Sequence, residues 1–296
     1  MNIENFRIYN DLVANQSFSK AGKLNGITQS AVSQQLRNME KSLGSLILDR
    51  NYKDFQLTRE GKYIHEVSIS LVQQYDRLVG TLQEMRNEVA GSIRLSAIYS
   101  IGLHVLPTYL TLFMKEFPQV NIQIEYRRAN SVYEDILNNS ADMGLVAYPQ
   151  NRKGIETIPF EQEELVFVAG TDHPLTKKEE VSLSDLEKSD FVGFDISIPT
   201  RGAIDEFFKS LNLSIEPVME FDNIETVKRA VEINSGIAML PRPTINQELA
   251  RNTLVVLPVK TSQSIYRPTA LILKENHFIC PALKALMKTL NSSKID

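Results

Sequence analysis

The sequence predicts three successive units: a small, mainly helical unit at the N-terminus, one long helix, and a larger α/β domain. Three observations support this fold class. Short amphipathic segments and a hairpin pattern fill residues 1 to 58, and a heptad-spaced apolar seam runs through residues 59 to 89. From residue 93 to residue 296, apolar strand-like runs alternate with amphipathic segments, which is typical of α/β domains with parallel sheets.

The N-terminal unit is predicted as three short helices followed by a hairpin. The helices cover residues 3 to 15, 17 to 24 and 29 to 43. Asn25 and Gly26 end the second helix, Thr28 is a candidate N-cap for the third, and Gly44 terminates it. Two β-prone runs flank residues 51 to 54, which we interpret as a hairpin with a basic tip.

The third helix has the properties of a helix that reads DNA. An apolar face would hold it on its support, and a polar face carries side chains of moderate length. Gln34 suits adenine and Arg37 suits guanine or phosphate, while the hairpin adds basic side chains for phosphate or the minor groove. The alternative is an exposed polar helix beside an ordinary turn. The candidate DNA-binding residues are Thr28, Gln29, Ser30, Ser33, Gln34, Arg37, Arg50 and Lys53.

Residues 59 to 89 are predicted to form one dimerising helix, with Thr58 as its N-cap. No proline interrupts this segment, and six apolar residues recur at alternating spacings of four and three. A helix of about 30 residues is about 45 Å long, too long for one small domain to cover, so we expect it to pair with another chain. The alternative is a long core helix of the following domain. The seam consists of Leu71, Tyr75, Leu78, Leu82, Met85 and Val89.

The domain after the Ala90-Gly91-Ser92 linker is predicted from its alternating pattern. Strands are expected at residues 93–97, 122–126, 143–147, 165–169, 191–194, 218–221, 237–240 and 269–273. Helices are expected at residues 102–116, 132–137, 201–211, 224–234 and 281–290.

Composition excludes fibrous, disordered and disulfide-rich classes of protein. Hydrophobic residues make up 43% and charged residues 23% of the 296-residue chain, as in ordinary globular proteins. Cys280 has no second cysteine to pair with, and the four histidines lack the spacing of a metal site. The N-terminus lacks the apolar core of a signal peptide, and no run of about 18 apolar residues occurs. We therefore expect a cytoplasmic protein without a membrane partner.

Positive charge is concentrated at the N-terminus of a chain whose net charge is -4. Residues 1 to 62 hold nine Lys/Arg and six Asp/Glu, whereas the whole chain holds 32 and 36. This excess is small by itself, but it has the sign that a nucleic-acid partner requires.

The N-terminal residues resemble the LysR-type transcriptional regulators. The matching residues are Ser17 to Ala21, Thr28 to Leu36, Met39-Glu40, Leu43-Gly44, Arg50, Leu57-Thr58 and Gly61. This sequence departs from the family pattern at Gly22, Leu24 and Leu48. None of these three positions belongs to the proposed reading face.

The resemblance implies an N-terminal winged helix-turn-helix at residues 1–58 and a linker and dimerisation helix at 59–89. It further implies an α/β two-lobed effector domain at 93–296, like the periplasmic binding proteins. Lobe 1 would cover about 93–159 and 268–296, and lobe 2 about 160–267, joined by two crossing strands. The implied partners are a partly palindromic double-stranded DNA operator, a small-molecule effector, and a second copy of the chain, assembled further as a dimer of dimers. RNA polymerase is a further candidate partner.

Residues that follow a predicted strand and begin a helix are candidates for a cleft between the two lobes. Helix N-termini present free amides to anions, and Ser100 and Thr200 occupy such places in the two lobes. We therefore expect a small anion, a charge-assisted contact from Arg201, and no cofactor. The alternative is a pair of capped helix starts without a ligand. The candidate effector-binding residues are Tyr99, Ser100, Ile101, Ala147, Tyr148, Ser197, Thr200, Arg201 and Asn223.

The rival class is a solute-binding protein or an enzyme on the same α/β fold. The missing signal peptide and the added N-terminal residues disfavour a solute-binding protein. The sequence carries no phosphate-loop or dinucleotide motif, and Cys280 suits a small hydrophobic position better than a nucleophile. The adjacent carboxylates Glu163-Glu164 and Glu179-Glu180 are expected to be solvated. We therefore predict a transcriptional regulator and not an enzyme.

Overall fold

The N-terminal unit is the helix-turn-helix that the sequence predicts. The computed structural model describes residues 1–49, 55–86, 88–261 and 263–292. Each of the four helices in the N-terminal part begins at a side-chain cap that accepts a hydrogen bond from a backbone N–H of the first turn. These helices are α1 (Ile3–Asn15), α2 (Phe18–Leu24), α3 (Gln29–Leu43) and α4 (Arg59–Met85).

The base of the predicted hairpin follows α3. Leu48 and Leu57 form an antiparallel bridge. The carboxylate of Glu40, near the end of α3, accepts a hydrogen bond from the Ile47 amide at 2.9 Å, which fixes the chain as it enters the hairpin. The hairpin tip, with Arg50 and Lys53, lies outside the described residues.

The long helix α4 is shorter than predicted. It ends at Met85, where the Arg86 amide caps its last carbonyls. Val89 therefore lies beyond the helix and packs against the apolar core of the first lobe. The prediction that Val89 belongs to the dimer seam is wrong. The heptad spacing of apolar residues continues from Met85 to Val89, but the backbone is no longer helical there.

Two lobes follow α4. Lobe 1 contains β1 (Gly91–Ile98), α5 (Tyr99–His104), α6 (Leu106–Glu116), β2 (Val120–Arg127), α7 (Ala129–Leu137) and β3 (Met143–Ala147). The chain then runs into β4 (Ile155–Gly170) and lobe 2. Lobe 2 contains α8 (Leu183–Glu187), β5 (Phe191–Phe194), α9 (Pro199–Ser210), β6 (Pro217–Phe221), α10 (Ile224–Glu232), β7 (Ala238–Pro241), α11 (Asn246–Ala250) and β8 (Leu254–Val256). The chain returns through β9 (Tyr266–Lys274) and ends with α12 (Pro281–Ser292) in lobe 1.

The strands β4 and β9 join the lobes. They pair antiparallel from Ile155 with Lys274 to Glu164 with Tyr266, and the register shifts between Pro159 and Gln162. In lobe 1, β1 pairs parallel with β2 and β3, and β3 pairs antiparallel with β9. In lobe 2, β4 pairs antiparallel with β7 and β8, and β5 pairs parallel with β6. Because the two joining strands are paired at the crossover, side chains from both meet between the lobes.

Each lobe has its own apolar core. Phe113, Leu271 and Leu286 are buried in the core of lobe 1, and Phe167 and Phe191 are buried in that of lobe 2. Separate cores allow two lobes to move as units around the joining strands. Among the described helices, none combines the length and the apolar character needed to cross a membrane.

Candidate DNA-binding surface and effector cleft

The polar face of α3 is exposed. Gln29, Ser30, Gln34 and Arg37 face solvent, and Ser33 is half-buried. The opposite face places Val32, Leu36 and Met39 in the core of the N-terminal unit. This division between the two faces is what a helix needs in order to enter a DNA groove while remaining fixed to its support.

Hydrogen bonds order the side chains on this face. Arg37 Nη2 donates to Gln34 Oε1 at 3.1 Å, and Gln34 Nε2 donates to Asn38 Oδ1 at 3.1 Å. Thr28 Oγ1 lies 2.9 Å from Ser30 Oγ and also accepts from the Ala31 amide at 3.2 Å. Asn38 was not among the predicted residues, although its place one turn beyond Gln34 is a signal for it.

The N-terminal unit is fixed to α4 by one buried and one partly exposed polar contact. Tyr9 Oη donates to the carbonyl oxygen of Gly61 at 2.6 Å. A Cβ atom at Gly61 would lie 2.3 Å from the Ile47 carbonyl oxygen, so this close approach requires glycine. Arg7 forms a bidentate ion pair with Asp76. Because α1 and α3 share one apolar core, a change in the direction of α4 that moves α1 also moves α3.

The apolar seam on α4 is exposed in the single chain. Its members within the helix range from 40% exposed at Leu71 to 75% exposed at Met85. The exposed Tyr63 and Val67 continue the seam toward the N-terminus of the helix. Another face of α4 packs on lobe 1, where Gly80 leaves room for Phe278. The seam residues that lie in the helix are Leu71, Tyr75, Leu78, Leu82 and Met85.

An ion pair lies between the lobes at the crossover of β4 and β9. Glu163 and Arg267 are register partners on these strands, and each is only 2% exposed. Arg267 Nε donates to Glu163 Oε2 at 2.7 Å, and Arg267 Nη1 donates to Ser100 Oγ at 3.0 Å. The expectation that Glu163 is solvated is therefore wrong. Arg267 and Glu163 were both missed as site residues, because their contact depends on strand register.

Two buried polar atoms at this place have no hydrogen-bond partner among the described residues: Glu163 Oε1 and Tyr148 Oη. Burial raises the pKa of Glu163, although the charge of Arg267 opposes the shift. Burial also raises the pKa of Tyr148 to about 12, so its hydroxyl keeps its proton at neutral pH. A buried polar atom without a partner is costly, and a ligand that supplies one is favoured.

Four other predicted effector-binding residues lie at positions from which they could line a cleft between the lobes. Ala147 is the last residue of β3, directly before Tyr148. Thr200 is buried in the first turn of α9, whose N-cap residue Ile198 makes no side-chain capping bond. Ser197 precedes this helix, is exposed, and donates through its hydroxyl to Asp195 at 2.5 Å. Ser100 is buried beside Arg267.

Four predicted effector contacts are engaged elsewhere. The Arg201 side chain donates to Asp205 and Glu220, so these bonds already use the guanidinium that was expected to meet an anion. Asn223 caps α10 by accepting from the Glu225 amide at 2.8 Å. The Ile101 side chain is fully buried in the lobe 1 core, and the Tyr99 ring stacks on Tyr126 at 5.8 Å. These side chains serve local structure, which the sequence pattern did not distinguish from ligand binding.

A second polar cluster connects the lobes. His104 Nε2 in α5 lies 2.6 Å from Glu225 Oε1 in α10. The buried Lys228 Nζ lies 3.0 Å from the same carboxylate oxygen and donates to Glu248 Oε1 at 2.9 Å. In the sequence, His104 is an isolated histidine without the spacing of a metal site, and its contact across the lobes depends on the tertiary fold. These contacts hold α5 of lobe 1 against α10 of lobe 2.

Two family models match the chain. The bacterial regulatory helix-turn-helix protein, lysR family, matches residues 3–62. The LysR substrate binding domain matches residues 86–293. The two matches together cover the helix-turn-helix and both lobes.

Individual relatives agree with the family models. The chain is 26% identical over 248 residues to the HTH-type transcriptional regulator CysL of Bacillus subtilis, covering 84% of this chain and 83% of that protein. It is similar in fold to a full-length OxyR variant from Pseudomonas aeruginosa, with a TM-score of 0.72 and 21% identity over 98% of this chain and 94% of that chain. The effector binding domain of QuiR in complex with shikimate matches 68% of this chain and 95% of that chain, with a TM-score of 0.59 and 26% identity.

The family models span both parts of the structure described above. The exposed polar face of α3 belongs to the first match, and the buried ion pair between the lobes belongs to the second. The chain therefore belongs to the LysR family of DNA-binding transcriptional regulators.

Proposed function

We propose that the protein is a homodimer that reads a partly palindromic operator with α3 and changes its DNA-bound arrangement when a small effector binds between the lobes. The observation that carries this proposal is the exposed polar face of α3 on a unit that α4 connects to the lobes. A twofold dimer presents two copies of α3, which suits a palindrome. An effector that favours one lobe arrangement shifts the population of DNA-bound states.

Several features of this function rest on the family. The dimers assemble as a dimer of dimers, RNA polymerase is a candidate partner, and the protein works in the cytoplasm. Regulation, and not catalysis, is its activity, and it uses no cofactor. The exposed seam on α4 supports the dimer, since such an apolar face is covered in a stable assembly.

Arg37→Ala is expected to weaken binding to the operator by about 1 to 3 kcal/mol if Arg37 pairs with guanine. Fluorescence-anisotropy titrations of an operator duplex and a scrambled duplex, each in several salt concentrations, measure this loss. Lys53→Ala is the contrasting variant, because a phosphate contact weakens all sequences alike and lowers the salt slope by about one. An Arg37→Ala protein that binds its operator as tightly as the parent would exclude base reading by Arg37.

The effector proposed for the cleft is a small hydroxylated carboxylate. An effector hydroxyl would donate to the unpartnered Glu163 Oε1, and Tyr148 Oη would donate to an effector oxygen. Thr200, in the uncapped first turn of α9, and Arg267 behind Ser100 would favour the carboxylate. Shikimate, the ligand in the QuiR complex, carries both kinds of group. This assignment refines the expected small anion by adding the hydroxyl donors that Glu163 requires.

Thermal-shift titrations with shikimate, its methyl ester and benzoate test this assignment. Only shikimate combines the carboxylate with hydroxyl groups, so we expect it to raise Tm most. Thr200→Val removes a hydrogen bond to a charged group and is expected to weaken binding by about 10- to 100-fold, the equivalent of about 1.5 to 3 kcal/mol. Thr171→Val, at an exposed threonine of lobe 2, is the matched control. Stabilisation by the methyl ester equal to that by shikimate, and undiminished in Thr200→Val, would refute the anionic effector.

A further inference from the structure

A cavity of about 510 Å³ lies where the N-terminal unit, α4 and lobe 1 meet. It is lined by α1 on one side, by α4 on another, and by the start of β1, the α7–β3 turn and the segment before α12 on the third. The volume falls within the range of small-molecule sites, which often lie between domains. The cleft residues Ser100, Glu163, Thr200 and Arg267 do not line this cavity.

Arg94 connects two of the three walls. Its guanidinium approaches Asp11 of α1 at 3.4 Å and Asp142 of lobe 1 at 3.3 Å, and its Nη2 donates to the Asn139 carbonyl oxygen at 2.8 Å. The N-terminal unit and lobe 1 therefore meet around one shared cation. A molecule bound here contacts the part that carries α3 and the part that carries the effector cleft at the same time.

The charge of the lining is negative. Its acidic members are Glu4, Asp11, Asp76 and Asp142, and its basic members are Arg7 and Arg94. His277 also lines the cavity, and burial lowers its pKa, so it adds no charge at neutral pH. Burial raises the pKa of Asp11, although Arg94 partly opposes the shift. A ligand with one or two positive charges would complement this lining.

Two residues of the lining each carry a buried polar atom that lacks a partner among the described residues. These atoms are Asn139 Nδ2 and His277 Nδ1. The Oδ1 atom of Asn139 accepts from Gln73 at 3.2 Å and from Lys274 at 3.1 Å, so the side chain is fixed with its amide nitrogen as the unused donor. A ligand whose oxygen reaches this buried nitrogen would satisfy it, so a complementary ligand carries an oxygen acceptor in addition to its positive charge.

We infer that this junction cavity is a second ligand site, for a small organic amine that also carries an oxygen acceptor. The ammonium group meets the carboxylates around Arg94, with Asp11 as its main partner, and the oxygen accepts from Asn139. Binding joins α1 to lobe 1 and so restricts the position of α3. This inference is independent of the proposed cleft ligand.

Three probes with carbon chains of equal length distinguish the effect of ligand charge from that of ligand size. They are 4-amino-1-butanol, 1,4-butanediol and 4-hydroxybutanoate. We expect ligand-observed NMR titration of the full chain, without DNA, to show saturable binding of the amine only. Asp11→Asn keeps the shape of the side chain and removes its charge, and we expect about a tenfold loss of amine affinity. Asp172→Asn, at an exposed aspartate of lobe 2, removes the same charge far from the cavity and is expected to leave the affinity unchanged.

Each other outcome overturns the inference. Equal binding to the parent and to Asp11→Asn would mean that the amine sits elsewhere on an acidic surface. Loss of binding in Thr200→Val, with binding retained in Asp11→Asn, would place the amine in the cleft. Preferential binding of 4-hydroxybutanoate would give the site the opposite charge preference, and no saturable binding of the amine would mean that the cavity is not an amine site.

Discussion

Replacing Leu78 and Leu82 together by glutamate is expected to convert the homodimer into monomers. Both leucines are exposed on α4 in the single chain, four residues apart along the seam. In a dimer paired through this seam, the new carboxylates would be buried without partners, at a cost of several kcal/mol per site. Sedimentation velocity measures the change in mass, and circular dichroism shows whether the lobes stay folded.

Arg77→Glu is the matched control for this double substitution. Arg77 is an exposed residue of the same helix but lies outside the seam. The Arg77→Glu substitution introduces a negative charge on α4, and we expect it to leave the mass of the sedimenting dimer unchanged. A Leu78→Glu, Leu82→Glu protein that remains a dimer would show that contacts outside this seam hold the two chains together.

Arg267→Met is expected to destabilise the protein by about 3 to 5 kcal/mol, because it leaves the Glu163 carboxylate buried without its cation. Replacing both residues, in Arg267→Met with Glu163→Met, removes the ion pair and is expected to recover most of this loss. The midpoint of urea unfolding, followed by circular dichroism, gives the comparison. A double variant as unstable as Arg267→Met would show that the loss comes from packing and not from an uncompensated charge.

The loss in Arg267→Met should also depend on pH. Burial already raises the pKa of Glu163 in the parent, and removing Arg267 takes away the opposing charge. A carboxyl group whose pKa is higher in the folded state than in the unfolded state binds more protons when folded, so its contribution to stability rises as pH falls. The difference from the parent should therefore shrink as the pH falls below neutrality. A difference that does not change with pH would contradict a charged Glu163.

Elements defined by local signals could be predicted from the sequence. The bounds of α1 and α3 agree with the prediction, because caps and terminators lie within one turn of each end. Thr28 caps α3, and Gly44 ends it with a φ of 66°. In contrast, one helix was predicted for residues 102–116, where the chain forms α5 and α6 with a break at Val105. Pro107, in the first turn of α6, is the signal for this break.

The cleft required the tertiary structure. Arg267 follows Glu163 by 104 residues, and only the register of β4 and β9 brings the two together. Thr200 and Arg201 are neighbours in sequence, yet Arg201 is engaged with Asp205 while Thr200 lies in an uncapped first turn. The sequence identifies the polar residues at a helix start, but it does not show which of them already have partners.

In vitro selection from a library of random DNA duplexes tests whether a dimer of this protein reads DNA with α3. The full-length parent and its Arg37→Ala variant are each carried through the same rounds of binding and amplification. We expect the parent to enrich a partly palindromic sequence with two half-sites, and the variant to lose the preference at one base pair in each half-site. Failure of the parent to enrich any sequence, or an unchanged preference in the variant, would contradict DNA reading by α3 of a dimer.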